Sequence, residues 1–352
     1  MHDIAAIRAA HPIVDTVAGA GVELRRSGRR FVGRCPFHRD ADPSLTLYPE
    51  SQSWYCYACD VGGDVIDFMA RLHGTGFKET ADRLSHAVPA WPANVTPLPT
   101  RREPRTLSGE ELAILDATVA YYERSLTDTD ARAYLARRGI SLETARAARV
   151  GYGGRGLTRH LRDRGLDLET ATGIGLLNEG RERFVGRVVV PGLDSTGRAT
   201  WLTGRAVRPR RVRYLDIDRP SPLLGLAQAR AAAKDAVIVV EGPFDWLTAR
   251  EWRLPAVSLN GSHASAEMVD QLGAFREVYV VLDTNVAGRR AATKLAAQLG
   301  DRAVTVTLPC SVLDLNELGQ AEGGQQTFLH LAAIARARHR TRRRGSAVAR
   351  AA

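Results

Sequence analysis

The chain has 352 residues, 44% hydrophobic and 25% charged, which is enough for two or three globular domains with sizeable cores. A formal net charge of +10 and an isoelectric point near 9.9 favour a polyanionic partner, nucleic acid being the simplest. The N-terminal MHDIAAIRAAHP lacks the apolar stretch of a secretion signal, and runs such as AVIVV are too short to span a bilayer, so a cytoplasmic protein without membrane contact is expected.

Two knuckles dominate the N-terminal region. RCPFHRD supplies Cys35 and His38, and YCYACDVGGD supplies Cys56 and Cys59. Each pair is spaced to turn two soft ligands onto one ion, and residues 39–55 leave room for a small antiparallel excursion between them. Three thiolates and one imidazole make the closed tetrahedral set of a structural zinc site, so one zinc ion is expected. Buried apolar cysteines beside an incidental histidine are the bland alternative, and two matched knuckles weigh against it. Three of the four cysteines fall here, so the thiols are used by metal rather than disulfides, as a reducing cytoplasm requires. Cys310 is left over and takes no chemistry. SLTLY and SWYCY alternate like strands that carry the second knuckle, and Val65, Ile66, Phe68, Met69, Leu72, Phe77 and Leu84 follow near helical spacing.

Residues 88–106 hold five prolines without periodicity and read as a stiff linker. A helix follows over about residues 107–126, with Ser108 as its cap. Two short helices broken at Gly139 lead into a Gly-rich turn, and residues 184–215 read as a β-meander turning at Asp194 to Gly197. From 236 to 310, strands and helices alternate: AVIVV, PFDWLTARE, AVSLNG, SAEMVDQLG, EVYVV, AGRRAATKLAAQLG, AVTVTLP. That pattern is an open parallel α/β sheet. From Arg336 the chain carries seven arginines and no acid, which suggests a helix end fraying into a disordered basic segment. No internal repeat is visible.

Chemistry in such sheets gathers where strands end. Glu241 directly follows AVIVV and Asp283 directly follows EVYVVL, so both carboxylates should leave the same sheet edge. Asp245 lies one helical turn past Glu241, and Asp314 follows the last strand. Convergent hard oxygens of this kind hold Mg²⁺ or Mn²⁺. Gly242 and Gly288 would let the backbone approach phosphate at the adjoining helix starts. An acid after a strand is often just the cap of the next helix, a reading that weakens for Asp283 once Glu241 and Asp245 recur one strand earlier.

With these residues in place a resemblance emerges. Residues from about 3 to 86 resemble the CHC-type zinc-binding domain of bacterial and phage DnaG-type primases: a CPFH knuckle, a Pro-Ser-Phe-like strand in which Leu45 stands for Phe, a Cys-x-x-Cys knuckle, then Gly-Gly-Asp and a Phe-containing helix. EGPFDWL and DTNVAGRRAA resemble the TOPRIM pattern shared by primases, topoisomerases and some nucleases. YLARRGISLETARAARVGYGG, GRVVVPGLDSTGRATWLTGRAV and RYLDIDRP resemble the primase basic subdomain. The likeness spans about residues 3–320, and its domain order is specific to primases.

The resemblance implies a multidomain α+β and α/β fold: a small zinc-ribbon-like domain (1–88), a Pro-rich linker (89–107), a mixed α/β basic subdomain (108–233), a TOPRIM parallel-sheet subdomain (234–322), then a short helix and basic tail (323–352). It implies a DNA primase that makes short RNA primers on single-stranded DNA from NTPs by metal-dependent nucleotidyl transfer. Asp283 and Asp245 would hold the principal ion, with Asp314 and Asn285 as weaker or water-mediated ligands. Glu241 would ligate metal or relay a proton at the 3′-hydroxyl. Arg187, Arg205 and Arg213, with Tyr214, would meet template or nucleotide phosphates, and surface or salt-bridged arginines are the alternative. Trp54, Tyr55 and Tyr57 would stack on template bases, against the alternative of packing around the knuckles. His263 takes no catalytic part.

Two positions depart from the pattern. Asn285 stands at the second acid of Asp-x-Asp, and Asn316 where the family often has an acid. A unit charge at about 4 Å is worth on the order of 4 kcal/mol at an effective dielectric of 20, so a second ion is expected to bind weakly. A catalytically weakened single-stranded nucleic-acid-binding protein is therefore the alternative. A TOPRIM topoisomerase would need a separate tyrosine-bearing domain, for which no room is left. No phosphate-binding G-x-x-x-x-G-K-[ST] loop is present, and about 30 residues follow the sheet. A stand-alone primase of a phage, plasmid or integrated element is thus expected, working with a separate replicative helicase or other replication protein.

Overall fold

The computed structural model describes residues 4–28, 30–37, 43–56, 61–85, 106–178, 180–209, 213–232 and 235–351. The chain forms two compact units, residues 1–105 and residues 106–209 with 213–352.

In the first unit, α1 (Ile4–Ala10) and α2 (Ile13–Gly19) precede five short strands: β1 (Leu24–Ser27), β2 (Arg30–Gly33), β3 (Leu45–Tyr48), β4 (Ser53–Cys56) and β5 (Val61–Gly63). They pair antiparallel in chain order. α3 (Val65–His73) and α4 (Phe77–Ser85) close the unit. α3 starts where it does because Asp64 and Asp67 form a capping box, each carboxylate accepting from the other's backbone N–H, and it stops at left-handed Gly74, φ 64°. Ile13, Leu45, Leu47, Trp54, Ile66 and Phe68 are buried together. Phe37, Trp54 and Phe68 meet pairwise with ring centroids 5.0–5.4 Å apart, two of the three contacts edge-on.

The second unit begins with α5 (Gly109–Ser125), whose N-terminus is closed by a Ser108–Glu111 capping box. α6 (Thr129–Arg137) and α7 (Leu142–Ala147) follow, separated at Gly139, φ 69°, a conformation that favours glycine. β6 (Gly151–Tyr152), α8 (Leu157–Asp163), α9 (Leu168–Gly173) and the small hairpin of β7 (Leu177–Asn178) and β8 (Arg181–Glu182) lead into the meander. β9 (Arg187–Leu193), β10 (Ala199–Ala206) and β11 (Tyr214–Asp216) form an antiparallel sheet in the order β11-β10-β9-β6.

After α10 (Leu226–Ala232) the chain alternates as its pattern predicts: β12 (Ala236–Val240), α11 (Pro243–Glu251), β13 (Ala256–Ser258), α12 (Ala266–Leu272), β14 (Glu277–Val281), α13 (Val286–Leu299) and β15 (Ala303–Thr305). These four strands pair parallel in the order β13-β12-β14-β15. Their Val and Ile runs are covered by helices and buried, which is why they read as continuous apolar stretches rather than alternating ones. α14 (Leu315–Gln320) and α15 (Gly324–Ala351) complete the unit. One core joins the two sheets: Leu135, Ile140, Val188 and Val190 pack in the same cluster as Val240, Phe244, Leu247 and Val281.

One expectation falls outside the described residues and another meets a different outcome. The proline-rich linker lies almost wholly outside the described residues. The arginine-rich segment does not fray: it continues one helix through Ala351, because no proline follows Gly324 and the many Arg, Ala, Leu and Gln residues outweigh Gly345. Among the described residues no helix is long and apolar enough to cross a membrane.

Candidate functional site: an acidic sheet edge and a cysteine knuckle

Register brings the carboxylates together. Val240 pairs with Val281 across β12 and β14, so Glu241 and Asp283 leave the same end of neighbouring strands, one and two residues past that pair. The backbone N–H of Asp283 points at Glu241 Oε2, 3.4 Å away. Asp245 sits in the first turn of α11, buried at 6% exposure. Its Oδ2 accepts from Gly242 N–H at 3.0 Å and its Oδ1 from Asn316 N–H at 2.9 Å, tying the starts of α11 and α14 together. Asp314 caps α14, accepting from Glu317 N–H at 2.6 Å.

The four acids feel one another. Burial first, then the carboxylates of Glu241 and Asp314, pushes Asp283 up to about 7. Burial also raises Glu241, as does Asp314, against relief from the Asp283 N–H. Asp245 is held well above the carboxylate range by burial and by Asp314 and Asp283. Such mutual repulsion is the signature of an acidic cluster without its counter-charge. Among the described residues no three acid, histidine or cysteine side chains converge tightly enough to enclose an ion as they stand. The donor set is all oxygen and anionic, which fits a hard divalent cation once side chains turn inward.

Several of the expected site residues take other places. Asn285 caps α13, its Oδ1 accepting from Gly288 N–H at 2.8 Å, while its amide lies 3.3 Å from Asp283 Oδ2. Gly242 and Gly288 therefore have their N–H groups engaged by Asp245 and Asn285 rather than aimed at open space. A Cβ at Gly288 would come within 2.3 Å of the Asp283 carbonyl, so glycine is needed for the close approach of α13 to the strand end. Arg187 is a correction: at 3% exposure it lies inside the meander, donating to the carbonyls of Gly204 and Arg213, both at 3.2 Å, and it cannot reach a phosphate. Trp54 is another: it is 2% exposed, and its indole N–H donates to the Asp64 carbonyl at 2.9 Å, so no face remains for a base. Tyr55 is buried as well.

Arg205 and Tyr214 do come together. They pair across β10 and β11, and the guanidinium lies 4.6 Å over the phenol ring. Burial chiefly raises the Tyr214 phenol, the Arg205 guanidinium opposes this, and the field of Asp245 adds to it. Arg213 is exposed.

A lock with little trace in the sequence holds the edge from behind. Asn316, 1% exposed, donates to the Arg138 carbonyl and to Thr248 Oγ1, and accepts from the Arg138 guanidinium at 2.9 Å. The guanidinium also lies over the rings of Tyr134 and Phe244. The only hint in the sequence is the Arg138-Gly139 dipeptide after α6.

In the first unit, Gly33, Leu45 and Cys56 form one row across β2, β3 and β4, so Cys35, two residues beyond Gly33, approaches the sheet edge that carries Cys56. Both thiols are buried. Phe37 N–H points at Cys35 Sγ at 3.5 Å, and the Ser44 hydroxyl lies 3.2 Å from Cys56 Sγ. Donors aimed at sulfur suit thiolate ligands. His38, Tyr57 and Cys59 lie outside the described residues.

Comparison with known proteins follows the same order along the chain. Residues 1–91 match the CHC2 zinc finger family, residues 121–219 the N-terminal domain of the DNA primase catalytic core, and residues 238–318 the Toprim-like family. A zinc finger, a primase core and a Toprim-like domain thus follow one another in a single chain. The DNA primase of Pseudomonas putida KT2440 is 32% identical over 345 residues, covering 88% of this chain and 51% of that protein. The DNA primase of Thermotoga maritima is 29% identical over 330 residues, covering 86% and 56%. The crystal structure of the Aquifex aeolicus primase, zinc-binding and RNA polymerase domains, superposes with a TM-score of 0.58 at 27% identity, covering 95% of this chain and 85% of that one. The chain belongs to the DnaG-type primases, and it spans about half the length of the curated relatives it matches.

Proposed function

We propose that the chain is a DNA primase that synthesises short RNA primers on single-stranded DNA by metal-dependent nucleotidyl transfer. The observation that carries this reading is the acidic edge: Glu241 and Asp283, both half-exposed past the ends of parallel strands and both raised, with half-exposed Asp314 at the start of α14 and Asp245 behind them. A relative's core has been seen bound to single-stranded DNA, a likeness at 24% identity that supports the shared fold.

In this reading Mg²⁺ or Mn²⁺ supplies charge neutralisation at the α-phosphate and activation of the primer 3′-hydroxyl. Glu241, Asp283 and Asp314 would hold it. Asp245, with both oxygens taken by backbone N–H groups, positions α11 and α14 so that the other three face one space. Arg205, flattened on Tyr214, would offer its guanidinium fork to a nucleotide or template phosphate, and exposed Arg213 would serve the same strand. The zinc knuckle of Cys35, His38, Cys56 and Cys59 would hold structural zinc and present the first unit to template. A separate replicative helicase, and a mobile-element origin, belong to the same proposal.

Primer synthesis on single-stranded DNA with NTPs and either metal tests it. Product should form, and Asp283→Ala and Glu241→Gln should each lower it by at least about 100-fold, the scale of losing a residue that acts on transition-state charge. No product in either metal, with single-stranded binding intact, would favour the weakened binding protein instead.

A further inference from the structure

The helix α15 carries a second, unassigned feature. Across its 28 residues there is no acid, and seven arginines fall between 336 and 350. Its first half is anchored: Phe328 is 1% exposed and stacks on Trp252 with centroids 5.5 Å apart, and Leu331, Ala332 and Ala335 pack on the same core. Arg336 then pairs with Glu277 at 2.9 Å, and the ring of His339 lies 3.1 Å from the Asp301 carbonyl. Beyond these ties Arg338, Arg340 and Arg343 are exposed.

The anchors fix where the arginines leave. Glu277 opens β14 and Asp301 precedes β15, whereas Asp283 and Glu241 follow strand ends. The basic end therefore projects from the opposite edge of the sheet, a strand length of about 15 Å from the carboxylates.

Like charges three and four residues apart on a helix repel, by a few tenths of a kcal/mol per pair. Residues 336 and 340 are so spaced, as are 340 and 343. Glu277 feels this array: against its burial, Arg336 and Arg340 hold its carboxyl below the ordinary value. Such an array is relieved by a polyanion. Residues 336–351 contain no Phe, Trp or Tyr, so they offer no platform for unstacked bases. They contain no large apolar residue except Val348, so they lack the apolar face that seats a helix in a membrane. Their rise of about 24 Å runs beside roughly 14 phosphates of a duplex, which carries one charge per about 1.7 Å.

We propose that the arginine end of α15 is a second nucleic-acid contact that grips duplex phosphates without reading sequence, on the edge of the sheet away from the acidic site. It does not depend on which reaction that site performs.

The test uses the full chain with Arg338, Arg340 and Arg343 changed to Gln, leaving the Arg336–Glu277 pair intact. Anisotropy on a labelled duplex of about 30 base pairs, over about 50–200 mM KCl, reads the salt slope of log K. The slope should flatten by about 2 to 3, near 0.9 per lost phosphate contact, while the same three changes to Lys leave it. If the threefold Gln variant does not fold, Arg338→Gln alone should flatten it by about 0.9. An unchanged duplex slope overturns the proposal, as does lost binding to phosphatidylglycerol vesicles with duplex binding intact. Absence of primer synthesis with the slope change present would sink only the catalytic reading.

Discussion

Asn285 serves two neighbours at once. It caps α13 through Gly288 and leans its amide toward Asp283. Aspartate caps helices as well as asparagine does, so Asn285→Asp should keep α13 while returning a charge to the edge. Primer yield at low Mg²⁺ should then rise by about tenfold, about 1.4 kcal/mol of tighter ion binding, read as a leftward shift in a Mg²⁺ titration. An unmoved titration would place Asn285 outside the ion's surroundings. The same residue shows the limit of reading side chains singly. Its position after a strand is legible, and so is its missing charge. That its oxygen is committed to a helix start is not, because a cap is decided by the backbone three residues on. Arg187 and Trp54 depart from expectation for a related reason: basic and aromatic types suit nucleic acid anywhere on a surface, and only packing shows that these two are interior.

Elements are more legible than residues. The Ser108 cap, the break at Gly139, the meander and the parallel alternation all appear where periodicity and turn chemistry put them. α15 differs because its composition suggests disorder, whereas charge repulsion of a few tenths of a kcal/mol per pair is too small to melt a helix anchored by Phe328 and Trp252. β4 shows what an element does with its residues. Ser53–Cys56 is a central strand, so Trp54 and Cys56 on one face both turn inward, one to the aromatic trio and one to the knuckle. Trp54→Ala should therefore cost about 3–5 kcal/mol in the first unit, seen as an earlier unfolding transition in denaturant. A variant of full stability with weakened template binding would restore the stacking role.

At the scale of the molecule, the second unit stores electrostatic tension in the acidic edge. Asp283 titrates near 7 folded, far above its ordinary value near 3.8. Between those values the folded chain holds a proton that the unfolded chain has released. This contribution is therefore fully present below about pH 4 and fades as pH rises through 7. Asp216, pushed up to about 6 chiefly by burial, adds a change of the same sign. The metal-free protein should melt at least about 2 °C lower at pH 8 than at pH 5. Mg²⁺ should restore much of that at pH 8, and Asp283→Asn should flatten the profile. A melting temperature that climbs steadily from pH 5 to 8 without metal would contradict the raised carboxyls.

Ligand types, strand-end acids and the order of the three domains all follow from the primary structure, since spacing, hydrophobic period and turn residues are local properties written residue by residue. Which side chains face the site is settled by packing. The Val240–Val281 register brings Glu241 and Asp283 to one end of the sheet, burial turns Asp245 and Asn316 into a brace, and the anchoring of α15 sends its basic end to the far edge. Those outcomes depend on contacts between residues distant along the chain, where packing and desolvation outweigh any local preference.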